Sequence, residues 1–131
     1  METLKEFQKS CPFPIGEENC EYAPYFIGKN YLHSLSSEQI NIANVTFEPN
    51  CRNNRHIHHG GGQILLCTAG HGYYQEYRKE AIELHAGDIV NIPTDVKHWH
   101  GSAADSWFSH IAISVPNDNG YCEWLEEVTF D

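Results

Sequence analysis

Between Ile40 and Val115 the chain breaks into short runs of strand-type residues, each closed by glycine, proline, asparagine or aspartate. Residues 40–47 carry Ile40, Ile42, Val45 and Phe47 and end at Pro49-Asn50. Residues 63–69 form a clear strand between Gly60-Gly61-Gly62 and Gly70. Further runs fall at 55–59, 72–76, 81–84, 89–92, 96–101 and 107–115, with Gly87-Asp88 as a turn and Pro93 as a stop. Turn signals at a spacing of roughly 8–12 residues predict an all-β barrel or sandwich. No long amphipathic helix alternates with these runs, so a parallel α/β sheet is excluded. The first thirty residues read as irregular, because Pro12 and Pro14 remove donors and restrict their neighbours. Only residues 122–128 have helical character. The expected organisation is therefore an N-terminal arm over 1–39, a barrel over 40–118 and a short, partly helical C-terminal segment over 119–131. Tyr22, Tyr25 and Phe26 are expected to pack the arm onto the barrel or onto a partner subunit.

The chain has 131 residues, enough for one domain with a single core. Eighteen acidic against eight basic residues give a net charge of −10. Phosphate neutralisation needs lysine and arginine, so nucleic acid is not an expected partner. No apolar run approaches the ~20 residues of a membrane helix, and residues 1–10 lack the apolar stretch of a signal peptide. A cytoplasmic protein is expected. Five cysteines, odd in number and with no Cys-x-x-Cys, fit free thiols better than a disulfide framework.

Nine histidines are many for this length, and six lie in or near two clusters: His56, His58 and His59, then His98, His100 and His110. Alternate side chains on a strand share a face, so His56 projects with His58, and His98 with His100. Two His-x-His pairs on separate strands can meet at one interior point. Imidazole nitrogens suit zinc, iron, nickel, copper and manganese. His59 points the opposite way from His58 and reads as a surface residue. His33, His71 and His85 lie in or near turns. Cys67 reads as a core thiol, too far along its strand from Gln63 to share a metal. Arg55 alternates against His56 and is expected to face outward; Trp99 alternates against His98 and is expected to pack outside the barrel cavity.

The two clusters sit in stretches that resemble the two conserved motifs of the cupins. In 50–70, Asn50 stands for the first glycine, His56 and His58 match, Gln63 stands for glutamate and Gly70 matches. In 87–102, Gly87, Pro93 and His98 match, Asp95 replaces a glycine and Ser102 an asparagine. The resemblance implies a double-stranded β-helix, or jelly-roll barrel. It also implies one divalent metal per chain (Mn, Zn, Fe or Ni) held by His56, His58, His98 and Gln63. Asparagine and aspartate tolerate left-handed backbone, so the turn replacements are physically mild. Gln63 removes a negative charge and leaves a more electrophilic metal.

Within the cupins, Gln63 and the run Val96-Lys97-His98-Trp99-His100-Gly101 are similar to small cupins encoded beside carboxymuconolactone decarboxylases. They are also similar to bacterial cupin-type hydroxynitrile lyases, which often use Mn. His110, before Ile111-Ala112-Ile113, corresponds to a later histidine of those lyases. The interval from His58 to Gln63 is one residue longer here. The resemblance implies that His100 and His110 serve as general base or orienting residues. It implies lyase, decarboxylase or isomerase chemistry on a small oxygenated molecule, and a two-fold homodimer. A non-catalytic metal or ligand binder and an iron-dependent dioxygenase are the alternatives, because the fold does not choose among them.

Overall fold

A computed structural model of the chain describes residues 2–128. Its elements in chain order begin with helix α1 (Leu4–Gln8) and strands β1 (Glu17–Glu18), β2 (Phe26–Ile27) and β3 (Asn30–Ser36). Then come β4 (Ile42–Phe47), β5 (Arg52–Asn53), β6 (His56–His59), β7 (Gln63–Glu76) and β8 (Ile82–His85). β9 (Ile89–Ile92), β10 (His98–Ser102), β11 (Phe108–Ser114) and β12 (Tyr121–Trp124) complete the series. Every pairing is antiparallel.

One sheet runs β1-β3-β4-β11-β7-β9. The other joins β8 to β7 and β7 to β10; β10 then pairs with β5 at one end and with β6 at the other, and these continue to β2 and β12. β7 belongs to both sheets. The glycine signal at Gly70 predicts two strands here, 63–69 and 72–76, whereas the structure has one strand of 14 residues. Gly70 is the corner where it changes sheets. Its φ is +80°, and a Cβ there would lie 1.9 Å from the Trp107 carbonyl oxygen, so the turn tolerates no side chain. Asn50 (φ 63°) and Asp95 (φ 67°) occupy left-handed backbone, as expected of residues standing in for glycine.

Phe47, Leu65, Cys67, Tyr74, Leu84, Val90, Ile92 and Phe108 fill the core between the sheets. Phe47 and Phe108 are wholly buried and stack with centroids 6.2 Å apart. The all-β barrel inferred from turn spacing is the fold observed.

Two expectations are corrected at the ends. The arm is not irregular throughout: β3 adds a full strand to the first sheet, and α1 is a capped turn of helix whose Phe7 stacks on Trp107 at 5.6 Å. The Trp107 indole N–H donates to the Glu2 carbonyl (2.8 Å). Residues 122–128, expected as helix, hold none: 122–124 belong to strand β12, paired with β6 from Tyr121↔His59 to Trp124↔His56. A helix that short has too few hydrogen bonds to stand alone. The open edge of β6 supplies a ladder, and period-two burial follows: Cys122 and Trp124 are half-buried, Tyr121 and Glu123 exposed.

Candidate metal centre and acid–base pair

His56 and His58 share a face of β6, and the β6–β10 ladder sets His98 directly opposite His56. Ring centroids are 4.2 Å apart for His56 and His98, 5.1 Å for His56 and His58, and 5.2 Å for His58 and His98. One nitrogen from each ring lies within 4.8 Å of the other two. His56 Nδ1 donates to the Asn54 carbonyl (2.8 Å) and His98 Nδ1 to the Val96 carbonyl (2.9 Å). Those bonds fix the tautomer in which Nε2 keeps its lone pair. The Nε2 atoms of His58 and His98 are buried and have no hydrogen-bond partner. Burial, with repulsion between the neighbouring rings, drives His56 well below the ordinary imidazole range. Burial also lowers His58 and takes His98 down to about 4. Three neutral imidazoles with ring nitrogens gathered within 4.8 Å, two of them orphaned, are a donor set that fits a divalent cation.

Beyond them lies a cavity of about 530 Å³. His56, His58, Gln63, His100 and His110 line it; Phe26, Leu32, Val45, Phe47, Ala112 and Trp124 supply apolar wall. Gln63, at the start of β7 between Ile92 and Ser114, thus joins the same cavity wall as two of the three clustered histidines.

His100 and His110 are both buried, their rings 5.0 Å apart at a steep angle. They differ in what holds them. The His100 main-chain N–H donates to Asn53 Oδ1 (2.9 Å), so the Asn53 amide nitrogen faces His100 Nε2 and donates to it (3.1 Å). That occupies the Nε2 lone pair and puts the ring proton on Nδ1, which has no partner. Neither ring nitrogen of His110 is hydrogen-bonded. Burial lowers both: His100 far down, reinforced by His110 and the three clustered rings, and His110 to about 4. His100 is therefore a fixed donor, and His110 a neutral imidazole with a free lone pair.

Sequence reasoning did not find Asn53 or Trp124. Trp124 stacks on Tyr25 (4.6 Å) and lies 4.7 Å from the His56 ring. Tyr22 and Phe26 complete this aromatic group, so the arm's aromatics pack on their own chain. Other expectations hold. His59 faces away, its nitrogens paired with Asp95 (3.0 Å) and Glu123 (2.7 Å). Cys67 is buried in the core, and Arg55 reaches Glu126 at the surface (3.4 Å). Trp99 is buried and donates to Gln75 Oε1 (2.7 Å). Among the described residues, no helix is long and apolar enough to cross a membrane.

Comparison with known proteins adds three findings. The cupin domain model matches residues 43–113. Over 87 residues the chain is 41% identical to the (R)-mandelonitrile lyase of Granulicella tundricola, a match covering 66% of each chain. It is similar in structure to a cupin-like protein from Thermotoga maritima (39% identity, TM-score 0.83, 90% of each chain). A predicted oxalate decarboxylase from the same organism shares the fold at 16% identity and TM-score 0.66, covering 83% of this chain and 95% of that one.

Proposed function

The chain belongs to the cupin family, and on that premise we propose that it is a metal-dependent lyase cleaving a small hydroxylated molecule, of the hydroxynitrile lyase type. The observation that carries this reading is the adjacency of two histidine sets on one cavity. Three neutral imidazoles fit a metal, and His110 offers an unengaged lone pair beside them. His56, His58 and His98 would hold the ion, with Gln63 as the fourth ligand. When bound, a divalent ion acts as a Lewis acid on a substrate oxygen or nitrogen.

The remaining work falls to this chain's own residues. His110 accepts the hydroxyl proton of the substrate at a ring nitrogen. As the carbonyl forms, the bond to the nitrile carbon breaks and its electron pair leaves with cyanide. The proton held by His110 then leaves with the cyanide, so an aldehyde or ketone and hydrogen cyanide are the products. The His100 Nδ1–H, with its ring fixed by Asn53, donates to the leaving group or to the carbonyl oxygen. Phe26, Phe47, Val45 and Trp124 exclude water and receive the apolar part of the substrate. The homodimer remains part of the proposal, with a scattering mass near twice the 15.0 kDa chain as its check.

The test pairs elemental analysis of protein purified without chelator with carbonyl release from a racemic aromatic cyanohydrin. Wild type should carry one metal in the barrel, lost in His56→Ala and His98→Ala, and His110→Ala should keep that metal but lose turnover. A wild type that takes up no metal on reconstitution overturns the reading. Metal without cyanohydrin cleavage leaves a cupin that binds, and iron with oxygen uptake redirects it to dioxygenation.

A further inference from the structure

On the outer face of the barrel, β7 and β8 bring together a second group of ligand-type side chains. The ladder pairs His71 with His85 and Tyr73 with Glu83. Directly opposed and alternate residues share a face, so all four side chains stand on the same side. The other side of these two strands carries Gly72, Tyr74 and Leu84, all buried, with Ile82 exposed at the hairpin end. The group therefore faces away from the core, and none of its members lines the cavity described above.

We propose that His71, Glu83 and His85 form a second cation site, suited to a borderline divalent ion such as zinc. One ligand atom from each lies within 4.8 Å of the other two. The imidazoles of His71 and His85 are stacked with centroids 4.6 Å apart and planes 10° from parallel. His71 Nε2 is 3.8 Å from Glu83 Oε1, too long for a hydrogen bond. That nitrogen is closed to solvent and has no hydrogen-bond partner, although its ring is only part-buried. An orphaned nitrogen beside a second imidazole and a carboxylate is the arrangement a cation resolves.

Two imidazoles and a carboxylate are a donor set used for zinc, with water in the fourth position. Bond lengths of about 2.0–2.2 Å put tetrahedral ligand atoms about 3.3–3.6 Å apart. Glu83 and His85 are exposed, so side-chain rotation can close the present gap without moving backbone. The backbones are already fixed. The His71 amide donates to the Trp107 carbonyl (3.2 Å) and its carbonyl accepts from Ala103 (2.9 Å); the His85 amide donates to Asp88 Oδ2 (2.8 Å). Among the described residues β8 pairs only with β7, so an ion here ties an edge strand to its sole neighbour. The net charge of −10 favours cations at the surface generally.

Calorimetric titration of the chelator-treated full-length chain with zinc chloride tests this, using wild type, His85→Ala and His98→Ala. Wild type should bind two zinc ions per chain, and each variant one. Glu83→Gln should weaken the outer site at least tenfold, and zinc should raise the melting temperature less in His85→Ala than in wild type. The same stoichiometry in His85→Ala as in wild type overturns the proposal. So does a single zinc in wild type that His98→Ala abolishes. Because residue 85 is exposed and outside the core, the His85→Ala comparison stands even if His98→Ala does not fold.

Discussion

Acidifying the metal-free protein from pH 7 to pH 4.5 should remove several kcal/mol of folding stability through the interior histidines alone. His98 and His110 are held down to about 4 in the fold, against 6.5 for an ordinary imidazole, chiefly because burial disfavours the charged ring. A group whose folded-state pKa is depressed loses nothing above its unfolded value. The cost starts as pH falls through 6.5, where the unfolded chain binds a proton that the fold refuses, and it levels off below about 4. At about 1.4 kcal/mol per pH unit, each of the two costs about 2.5 kcal/mol at pH 4.5. His56, His58 and His100 are lowered too and act in the same direction. Against a typical total of about 5–15 kcal/mol, that is a large share. Other groups titrate in different windows. His59 is raised by Glu123 and Asp95, so its contribution is complete below 6.5 and is lost only as pH rises through its higher folded value. Glu76 and Glu126 are lowered by their lysine partners, so their loss starts near the ordinary carboxylate pKa of 4.5, at the foot of the histidine window. Urea unfolding of chelator-treated protein, followed by tryptophan fluorescence at half-unit steps, measures the slope. His110→Gln should flatten it by up to about 1.4 kcal/mol per pH unit, one proton's worth. An unfolding midpoint unchanged between pH 7 and pH 5 would refute the neutral, desolvated cluster.

Three further outcomes are expected. Gly70→Ala should cost at least about 3 kcal/mol or abolish soluble folding, because the added methyl meets the Trp107 carbonyl at a backbone angle side chains avoid; a melting temperature within 2 °C of wild type contradicts it. Asn53→Ala should cost about 1–3 kcal/mol by stripping both partners from His100, and should lower kcat more than it raises KM in the proposed lyase assay. Trp124→Ala should leave metal content at the barrel site unchanged and raise KM for an aromatic substrate by tenfold or more; an unchanged KM means that Trp124 does not contact the substrate.

The barrel was legible in its turns. Pro49-Asn50, Gly60-Gly61-Gly62, Gly87-Asp88 and Pro93 punctuate the chain at strand length, and each closes a strand in the structure. The strands that escaped notice lack that punctuation or that pattern. β3 reads Asn-Tyr-Leu-His-Ser-Leu-Ser, with no sustained alternation of apolar and polar residues, and exists because β4 offers it an edge. β12 has the same cause at the edge of β6. Gly70 misled for the opposite reason: glycine marks a bend, and a bend within a strand that changes sheets looks like an end. The three clustered histidines were legible because period-two spacing and strand pairing are enough to make them meet. His71 was not linked to the Glu83–His85 pair, because no spacing rule within one strand reaches across a hairpin's register.

The link between the three clustered histidines and the His100–His110 pair rests on an irregularity that spacing hides. On one unbroken strand, residues 53 and 56 would face opposite sides of the sheet. Here Asn54 and Arg55 leave the ladder between β5 and β6. The Arg55 amide donates to the Glu126 carbonyl (2.9 Å), and Leu125 donates back to the Arg55 carbonyl (2.8 Å). β10 resumes pairing on either side of the break, at Gly101↔Arg52 and His98↔His56. The interruption lets Asn53 and His56 reach the same cavity, so one edge of β10 carries a ring fixed by Asn53 and another set against His56. Drawing all four residues 53–56 into one regular strand, with β6 kept in register, would turn Asn53 away from His100. The C-terminal segment, through Glu126 and Leu125, holds the break open from outside. Its contribution to the site is therefore geometric as well as aromatic.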